Sequence, residues 1–209
     1  KDVATQMTGI ARQAALIRQI KEEAITIFAL QETRLRKLHQ AHDEDFFIFK
    51  SAATEAGHLG IMMGFAKHRP YGLLHLPNGR RQAQYFRDEH FAIVAFDPRF
   101  LLVRVATPHL KFVAIAAHAP HTGHSQEAVA TWWEELQQVI PQQLQNWPVV
   151  LLCDANAIVG AEPSIHIGDH QAGKSDDRAL PFEAFVARND LWLPSTFSTC
   201  QRGEGQTWV

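Results

Sequence analysis

The chain has 209 residues, of which 46% are hydrophobic and 20% are charged. This composition excludes an intrinsically disordered chain, and the length suits a single domain over residues 1–209. The formal net charge is −2, so nucleic acid would have to bind through a local basic patch or a bound cation, not a global basic field. No apolar run reaches the length of a membrane span, and the sequence therefore predicts no membrane partner.

Three segments have the apolar spacing of helices. In residues 9–24, isoleucines and alanines recur three or four residues apart, which predicts an amphipathic helix. The segment from Ser125 to about Leu144 also reads as a helix, with Ser125 suited to the N-cap and Pro141 expected to end or kink it. Residues 180–188 are predicted to form a short third helix.

Short runs rich in β-branched and aromatic residues predict the strands. They cover residues 25–30, 46–49, 59–66, 91–96, 100–106, 112–117, 149–152 and 191–197. Helices that precede and follow these runs indicate an α/β protein. Residues 100–106 and 112–117 are predicted to form a hairpin. Because a hairpin joins antiparallel strands, we do not expect a purely parallel sheet. Pro77-Asn78-Gly79 predicts a turn, with Arg80 and Arg81 in the same loop.

Polar side chains follow three of these apolar strands. Glu32 comes after the first strand, His118 ends a middle strand, and Asp154 and Asn156 end the strand near residue 150. In α/β sheets, ligands gather beyond the strand ends. If the three ends lie side by side, one pocket holds two carboxylates, an imidazole and an amide, a set that suits a hard divalent cation and phosphoryl chemistry.

Each of these residues also has a purely structural interpretation. Glu32 alone would be read as a solvated loop residue, and Asp154 and Asn156 as turn formers. His118 alone would be read as a hydrogen-bonded core histidine.

His118, His121 and His124 are spaced three apart, which allows a zinc site. The intervening proline and glycine instead favour loop histidines near a phosphate site. Two cysteines make no disulfide framework, which favours an intracellular compartment.

Three short motifs carry a family resemblance. They are Gln31-Glu32-Thr33, Ala117-His118-Ala119-Pro120 and Cys153-Asp154-Ala155-Asn156-Ala157, in that order. They resemble the motifs of the endonuclease/exonuclease/phosphatase superfamily. The superfamily includes pancreatic-type deoxyribonucleases, apurinic endonucleases, retrotransposon endonuclease domains and inositol-phosphate phosphatases. The resemblance implies a two-sheet α/β sandwich in four layers, with helices on the outer faces. The segment from Gly160 to Phe197 is most similar to the retroelement endonucleases.

The resemblance also implies roles for individual residues. Glu32 would bind Mg²⁺, with Mn²⁺ as a possible substitute. Asp154 would activate or orient the attacking water. Asn156 would position Asp154 and contact the phosphate, and His118 would contact the scissile phosphate.

Other residues are candidates for substrate binding. Arg34 belongs to a basic cluster that follows Glu32, and Thr207-Trp208 is similar to the Thr-Trp that precedes the late strands of the family. Trp208 either stacks near the substrate or belongs to the core. The basic clusters either track a nucleic-acid backbone or form an ordinary solvated surface.

The sequence departs from the family pattern in several places. Cys153 stands where glycine is usual, and Ala155 where phenylalanine or leucine is usual. The family's first strand, and the last strands that carry an aspartate and a histidine, have no counterpart here. We therefore expect a fragment of a longer protein and an incomplete sandwich.

The combined interpretation is a Mg²⁺-dependent phosphodiester hydrolase. The retroelement-like segment favours a DNA endonuclease that precedes a reverse transcriptase in the full-length chain, which would place it in the nucleus. One alternative is a phosphatase or phospholipase that acts on small phosphate esters. Another is a catalytically degenerate domain that serves only as a binding module.

Overall fold

The computed structural model describes residues 14–35, 39–160, 164–170 and 174–200, and these contain ten strands and three α-helices. The strands are β1 (Ile27–Leu30), β2 (His39–His42), β3 (Phe46–Lys50), β4 (Met62–Ala66), β5 (Gly72–His75), β6 (Arg81–Gln84), β7 (Phe91–Asp97), β8 (Phe100–Ala106), β9 (Lys111–His118) and β10 (Val149–Asp154). The helices are α1 (14–22), α2 (Gln126–Val139) and α3 (Ala179–Arg188).

Eight of the strands form two four-stranded sheets. The first sheet has the order β1-β4-β3-β2 and is antiparallel throughout. The second has the order β10-β9-β8-β7, in which β10 runs parallel to β9 and the other pairs are antiparallel. The remaining strands, β5 and β6, form a separate antiparallel ribbon. The predicted hairpin between β8 and β9 is confirmed, and the sheet is mixed as expected.

The two sheets pack face to face because every second side chain of their core strands is apolar and points toward the other sheet. In β3, Phe47 and Phe49 point into the space between the sheets, where they meet Val103 and Phe112 of the second sheet. The alternate residues of β3 belong to a different cluster, on the outer side of the first sheet. This period of two, with both faces apolar, is what a sheet covered on both sides requires.

Helices cover both outer faces. Ile20 of α1 packs on the outer face of the first sheet, against Phe28 and Ile48. On the other side, α2 and α3 cover the second sheet, where Trp133 lies between Phe182 and Phe185 at ring-centroid distances of 5.1 Å each. The four-layer α/β sandwich predicted from the sequence is therefore confirmed in the described residues. None of the helices in the described part of the chain is long and apolar enough to cross a membrane.

The helix boundaries follow their capping signals. The side chain of Ser125 accepts a hydrogen bond from the Ala128 N–H at the start of α2, as predicted. The helix ends at Val139, before Pro141, and the rest of the predicted segment forms a short 3₁₀-helix, Gln142–Leu144. For α1, residues 14–22 are helical, and residues 9–13 of the predicted helix lie outside the described residues.

Some strand predictions were wrong. Residues 191–197 contain no strand. Instead, Pro194 starts the 3₁₀-helix Pro194–Thr196, because proline lacks the N–H that a ladder needs and its fixed φ suits a helical first position. No strand was predicted for β2, β5 or β6, because each is only four residues long and lacks a clear apolar alternation. Arg81 begins β6, so it belongs to a strand and not to the loop that holds Arg80.

Gly64 of β4 faces the Phe28 ring directly. The two residues are register partners in the first sheet, and a Cβ built on Gly64 would overlap the ring carbons of Phe28. The ring has little room to withdraw, because it packs edge-on against Phe46 with centroids 5.2 Å apart. The glycine is therefore a packing requirement of the outer face of this sheet.

We predict that Gly64→Ala lowers the free energy of unfolding by about 2 kcal/mol, since overpacking a closed core forces side chains off their preferred rotamers. Urea unfolding followed by circular dichroism measures the change. Gly72→Ala in β5 is the matched control, because a Cβ built there has no atom within 4 Å. Equal stability of the two variants would contradict the packing argument.

Candidate active site

The ends of β9 and β10 bring His118 and Asp154 together. The two strands run parallel, and their register makes His118 and Asp154 direct partners at the last position of each strand. The His118 Nε2 lies 3.9 Å from the Asp154 Oδ2. The imidazole is buried, with 7% of its side chain exposed, whereas 36% of the Asp154 side chain is exposed. Solvent and small molecules can therefore reach the carboxylate more easily than the imidazole.

Asn156 fixes the position of the Asp154 carboxylate. Its backbone N–H donates to Asp154 Oδ1 at 3.1 Å, and its side-chain amide donates to the Ala119 carbonyl at 2.8 Å. The Ala119 N–H in turn donates to the Asp154 carbonyl at 2.9 Å. Asn156 has a φ of +47°, a left-handed conformation that asparagine tolerates better than most residues. One asparagine thus ties together the chain segments that follow both strands.

Gln31 brings the end of the first sheet to the same place. Its side-chain amide donates to the Leu152 carbonyl of β10 at 3.2 Å, across the gap between the two sheets. Glu32 follows with a φ of +54°, and 55% of its side chain is exposed. Its Oε2 lies 3.7 Å from an Arg34 guanidinium nitrogen. The three strand ends therefore converge, as the sequence suggested.

A glycine turn supports the segment that carries Glu32. The Thr33 N–H donates to the Gly60 carbonyl at 3.0 Å, and the Arg34 N–H donates to the Leu59 carbonyl at 2.8 Å. Gly60 has a φ of +92°, and a Cβ there would lie 2.9 Å from the Thr33 Oγ1. Only glycine suits this position, since a side chain would meet both a strained backbone and a close neighbour.

Arg99 belongs to the site although the sequence did not indicate it. It lies in the turn between β7 and β8, where Asp97 Oδ1 accepts its backbone N–H at 2.5 Å. Its guanidinium donates to the His118 carbonyl at 3.3 Å and to the Ala119 carbonyl at 3.4 Å. Burial lowers the pKa of Arg99, while the nearby Asp97 and Glu32 carboxylates oppose that shift. No local feature of the sequence around residue 99 indicates a contact with the distant end of strand β9, which lies about twenty positions further along the chain.

The imidazole of His118 is held in its neutral form. Burial lowers its pKa, and the carboxylates of Asp154 and Glu32 only partly offset that effect. The His118 Nδ1 is buried and has no hydrogen-bond partner. Next to Asp154, burial raises the pKa of the Cys153 thiol to about 12. Cys153 therefore stays protonated at neutral pH and offers no thiolate nucleophile.

The donor set fits a magnesium ion better than a zinc ion. In the described part of the chain, no three His, Cys, Asp or Glu side chains are grouped closely enough to hold a metal. Structural zinc needs four such ligands, whereas Mg²⁺ keeps several waters and binds through one or two carboxylates. Glu32 supplies an accessible carboxylate of this kind. His121 and His124 have ring centroids 5.0 Å apart, but they make no such group with His118.

Of the three predicted substrate-binding residues, the structure describes only Arg34. Arg34 lies beside Glu32 and is exposed. Thr207 and Trp208, the other substrate-binding candidates, lie outside the described residues.

The similarity of this chain to known proteins is one of structure alone. No protein-family model matches the chain, and no curated protein matches it. Among solved structures, the chain is similar to the endonuclease domain of TRAS1, a telomere-specific non-LTR retrotransposon. The identity is 14% and the TM-score 0.47, over 83% of this chain and 63% of that domain. The chain thus spans less than two thirds of that domain's length.

We predict that the free energy of unfolding falls when the pH is lowered from about 7.5 to about 5.5. The folded-state pKa values of His118 and His90 are lowered by burial, so below about pH 6.5 the unfolded chain binds more protons than the folded chain. The stabilisation is fully present above the unfolded pKa and is lost as the pH falls from there through the lowered folded pKa. His90 Nδ1 also accepts a hydrogen bond from the Arg87 N–H, which protonation would remove.

Urea unfolding at the two pH values measures this dependence. The His118→Gln variant should show a smaller difference between the two pH values, with His90 accounting for part of the remainder. The same variant of the exposed His58 is the control. An unchanged pH dependence in His118→Gln would contradict the assignment.

Proposed function

We propose that this chain is a Mg²⁺-dependent phosphodiester hydrolase that cleaves DNA, of the retroelement endonuclease type. The observation that carries the proposal is the convergence of Glu32, His118, Asp154 and Asn156 at one end of the sandwich. These four residues come from three separate motifs of the sequence, and Gln31 connects the two sheets at that point. The motif resemblance supports the same chemistry. A reverse transcriptase domain in the full-length chain and a nuclear location are parts of the same proposal.

Asp154 is suited to activate the attacking water. Its Oδ1 already accepts the backbone N–H of Asn156, which leaves Oδ2 on the more exposed side chain to accept a proton from water. A carboxylate held in one orientation is more effective as a general base, because no reorganisation precedes the proton transfer. As Asp154 takes the proton, the water oxygen attacks phosphorus and the phosphorus–oxygen bond to the leaving group breaks. The departing alkoxide takes a proton from solvent, so that a phosphate monoester and an alcohol result.

The amide and the imidazole provide hydrogen-bond donors for the phosphate. Asn156 uses one side-chain N–H for the Ala119 carbonyl, and its amide has a second N–H to donate. A neutral imidazole donates from one nitrogen only. We assign the proton of His118 to Nε2, the nitrogen that faces Asp154. Donors placed in advance stabilise the negative charge that develops on phosphate oxygens in the transition state.

Glu32 is the residue that would hold the cation. When bound there, Mg²⁺ would polarise the phosphoryl oxygens and offset the charge of the transition state. Arg34 is exposed beside Glu32 and is suited to contact a flanking phosphate. Arg99 is a positioning residue: it holds the carbonyls of His118 and Ala119 in place and adds positive charge behind the site.

A binding module without catalysis is the second candidate. It is favoured by two observations: His118 is almost fully buried, and the described residues contain no group of three metal-ligating side chains. In that case the strand ends would keep their hydrogen bonds without turning over substrate. The phosphatase alternative shares the chemistry of the first proposal and differs only in substrate.

We predict that the chain nicks supercoiled plasmid in the presence of Mg²⁺ and not with EDTA. Asp154→Asn and Glu32→Gln should each reduce the rate by about 10²-fold or more, because they remove the general base and the cation ligand. Agarose gel electrophoresis of the nicked form measures the rate. Glu134→Gln, on the exposed face of α2, is the matched control.

Three outcomes distinguish the candidates. Metal-dependent nicking that both site variants lose supports the endonuclease. Hydrolysis of a small phosphate ester with no nicking supports the phosphatase. Neither activity, in a protein that unfolds cooperatively and binds no Mg²⁺ by calorimetry, supports the binding module.

A further inference from the structure

The ribbon formed by β5 and β6 carries an unusual charge distribution. From residue 67 to residue 87 the sequence contains no aspartate or glutamate, in a chain whose net charge is −2. The cations of this stretch are Lys67, Arg69, Arg80, Arg81 and Arg87. The stretch is therefore a local basic patch of the kind that an overall acidic chain needs for binding a polyanion.

The cations divide into those with structural partners and those without. Lys67 donates to the Asp43 carbonyl, Arg69 donates to the Lys21 carbonyl at 2.6 Å, and Arg87 pairs with Glu89 at 3.8 Å. The side chains of Arg80 and Arg81 have no hydrogen bond or ion pair within the described ranges. Both are exposed, at the turn and at the first position of β6. Their charges do not contribute to holding the fold together.

One face of the ribbon presents Arg81 together with apolar groups, while Arg80 directly precedes β6 at the turn. The register pairs His75 with Arg81 and Leu73 with Ala83, and the period of two places Tyr85 on the same face. His75 and Arg81 are exposed, and so are Leu73 and Tyr85, by 54% and 45%. Leu73 and Tyr85 are thus exposed on the same face as the side chain of Arg81. Basic and aromatic groups on one face suit a nucleic-acid backbone with its sugars and bases.

The base of the ribbon lies at the end of the sandwich opposite the candidate site. Tyr71 and Phe86 pack against each other at 4.8 Å, and Phe86 packs on Phe91, the first residue of β7. The last residue of β7, Asp97, belongs to the site end. The seven residues of β7 span roughly 20 Å at about 3.3 Å per residue. A contact made by the ribbon is therefore distinct from the contacts at the strand ends.

We propose that the exposed face of the β5–β6 ribbon binds the phosphate backbone of double-stranded DNA at a position remote from the cleaved bond. Arg81 contacts a phosphate from this face, Arg80 contacts one from the adjoining turn, and the side chains of Leu73 and Tyr85 lie against the sugars or base edges. The major groove of DNA is wide enough to admit a two-stranded ribbon. The identity of the polyanion rests on the proposed nuclease function, whereas the existence of a polyanion-binding face rests on the ribbon alone.

The test uses the full chain in EDTA, so that the duplex stays intact. Fluorescence anisotropy measures the Kd for a labelled duplex of about 30 base pairs, between about 50 mM and about 200 mM salt. The double variant Arg80→Gln/Arg81→Gln should weaken binding roughly tenfold or more at low salt and reduce the slope of log K against log salt by about two. Arg18→Gln/Arg188→Gln, which removes two exposed arginines on α1 and α3, is the control for net charge.

Each outcome bears on the proposal. Loss of affinity in the ribbon variant alone supports it, and equal affinity of the two double variants overturns it. No duplex binding by the unmodified chain also overturns it, as does displacement of the duplex by polyglutamate at an equal concentration of charges. If the unmodified chain binds DNA through the ribbon but does not nick plasmid, the ribbon assignment stands and the nuclease function fails. If the chain nicks plasmid but the ribbon variant binds DNA normally, the nuclease function stands and the ribbon assignment fails.

Discussion

The parallel pairing of β10 with β9 is the constraint on which the candidate site depends. Parallel strands bring their carboxyl ends to one edge, so the register that joins Cys153 to Ala117 also places Asp154 beside His118. An antiparallel pairing of the same strands would have put these two side chains at opposite ends of the sheet. The helix α2 makes this pairing possible, since it carries the chain from the end of β9 back to the start of β10.

The site combines a stable framework with locally costly features. Glu32 and Asn156 both have left-handed backbones, a conformation that costs about 1 kcal/mol or more in a residue other than glycine. The His118 Nδ1 and the Thr33 Oγ1 are buried without partners, and unpaired buried polar atoms also reduce stability. Such features persist because surrounding hydrogen bonds hold them, here from Gly60, Asn156 and Arg99. Their concentration at the strand ends is what a preorganised site requires, although it does not identify the reaction.

The two ends of the sandwich have different electrostatic characters. At the site end, two carboxylates lie close to a neutral imidazole and a partly buried guanidinium, an arrangement suited to a cation and a phosphate together. At the other end, the ribbon exposes Arg80 and Arg81, which pair with no acidic side chain among the residues that the structure describes. A long duplex that contacts both ends would lie along the strand direction and bury a surface that a small phosphate ester cannot reach. The ribbon therefore bears on the choice between a nuclease and a phosphatase.

The sequence alone determined features that depend on neighbours close in the chain. The cap at Ser125, the end of α2 before Pro141, the β8–β9 hairpin and the polar residues that follow the apolar strands are of this kind, because periodicity and turn residues act over a few positions. Only the tertiary structure decided which strand ends meet, since that depends on contacts such as the bond from Gln31 to Leu152, which are 121 positions apart. It also decided the role of Arg99 and the isolation of the β5–β6 ribbon, because packing and register, not local propensity, determine both.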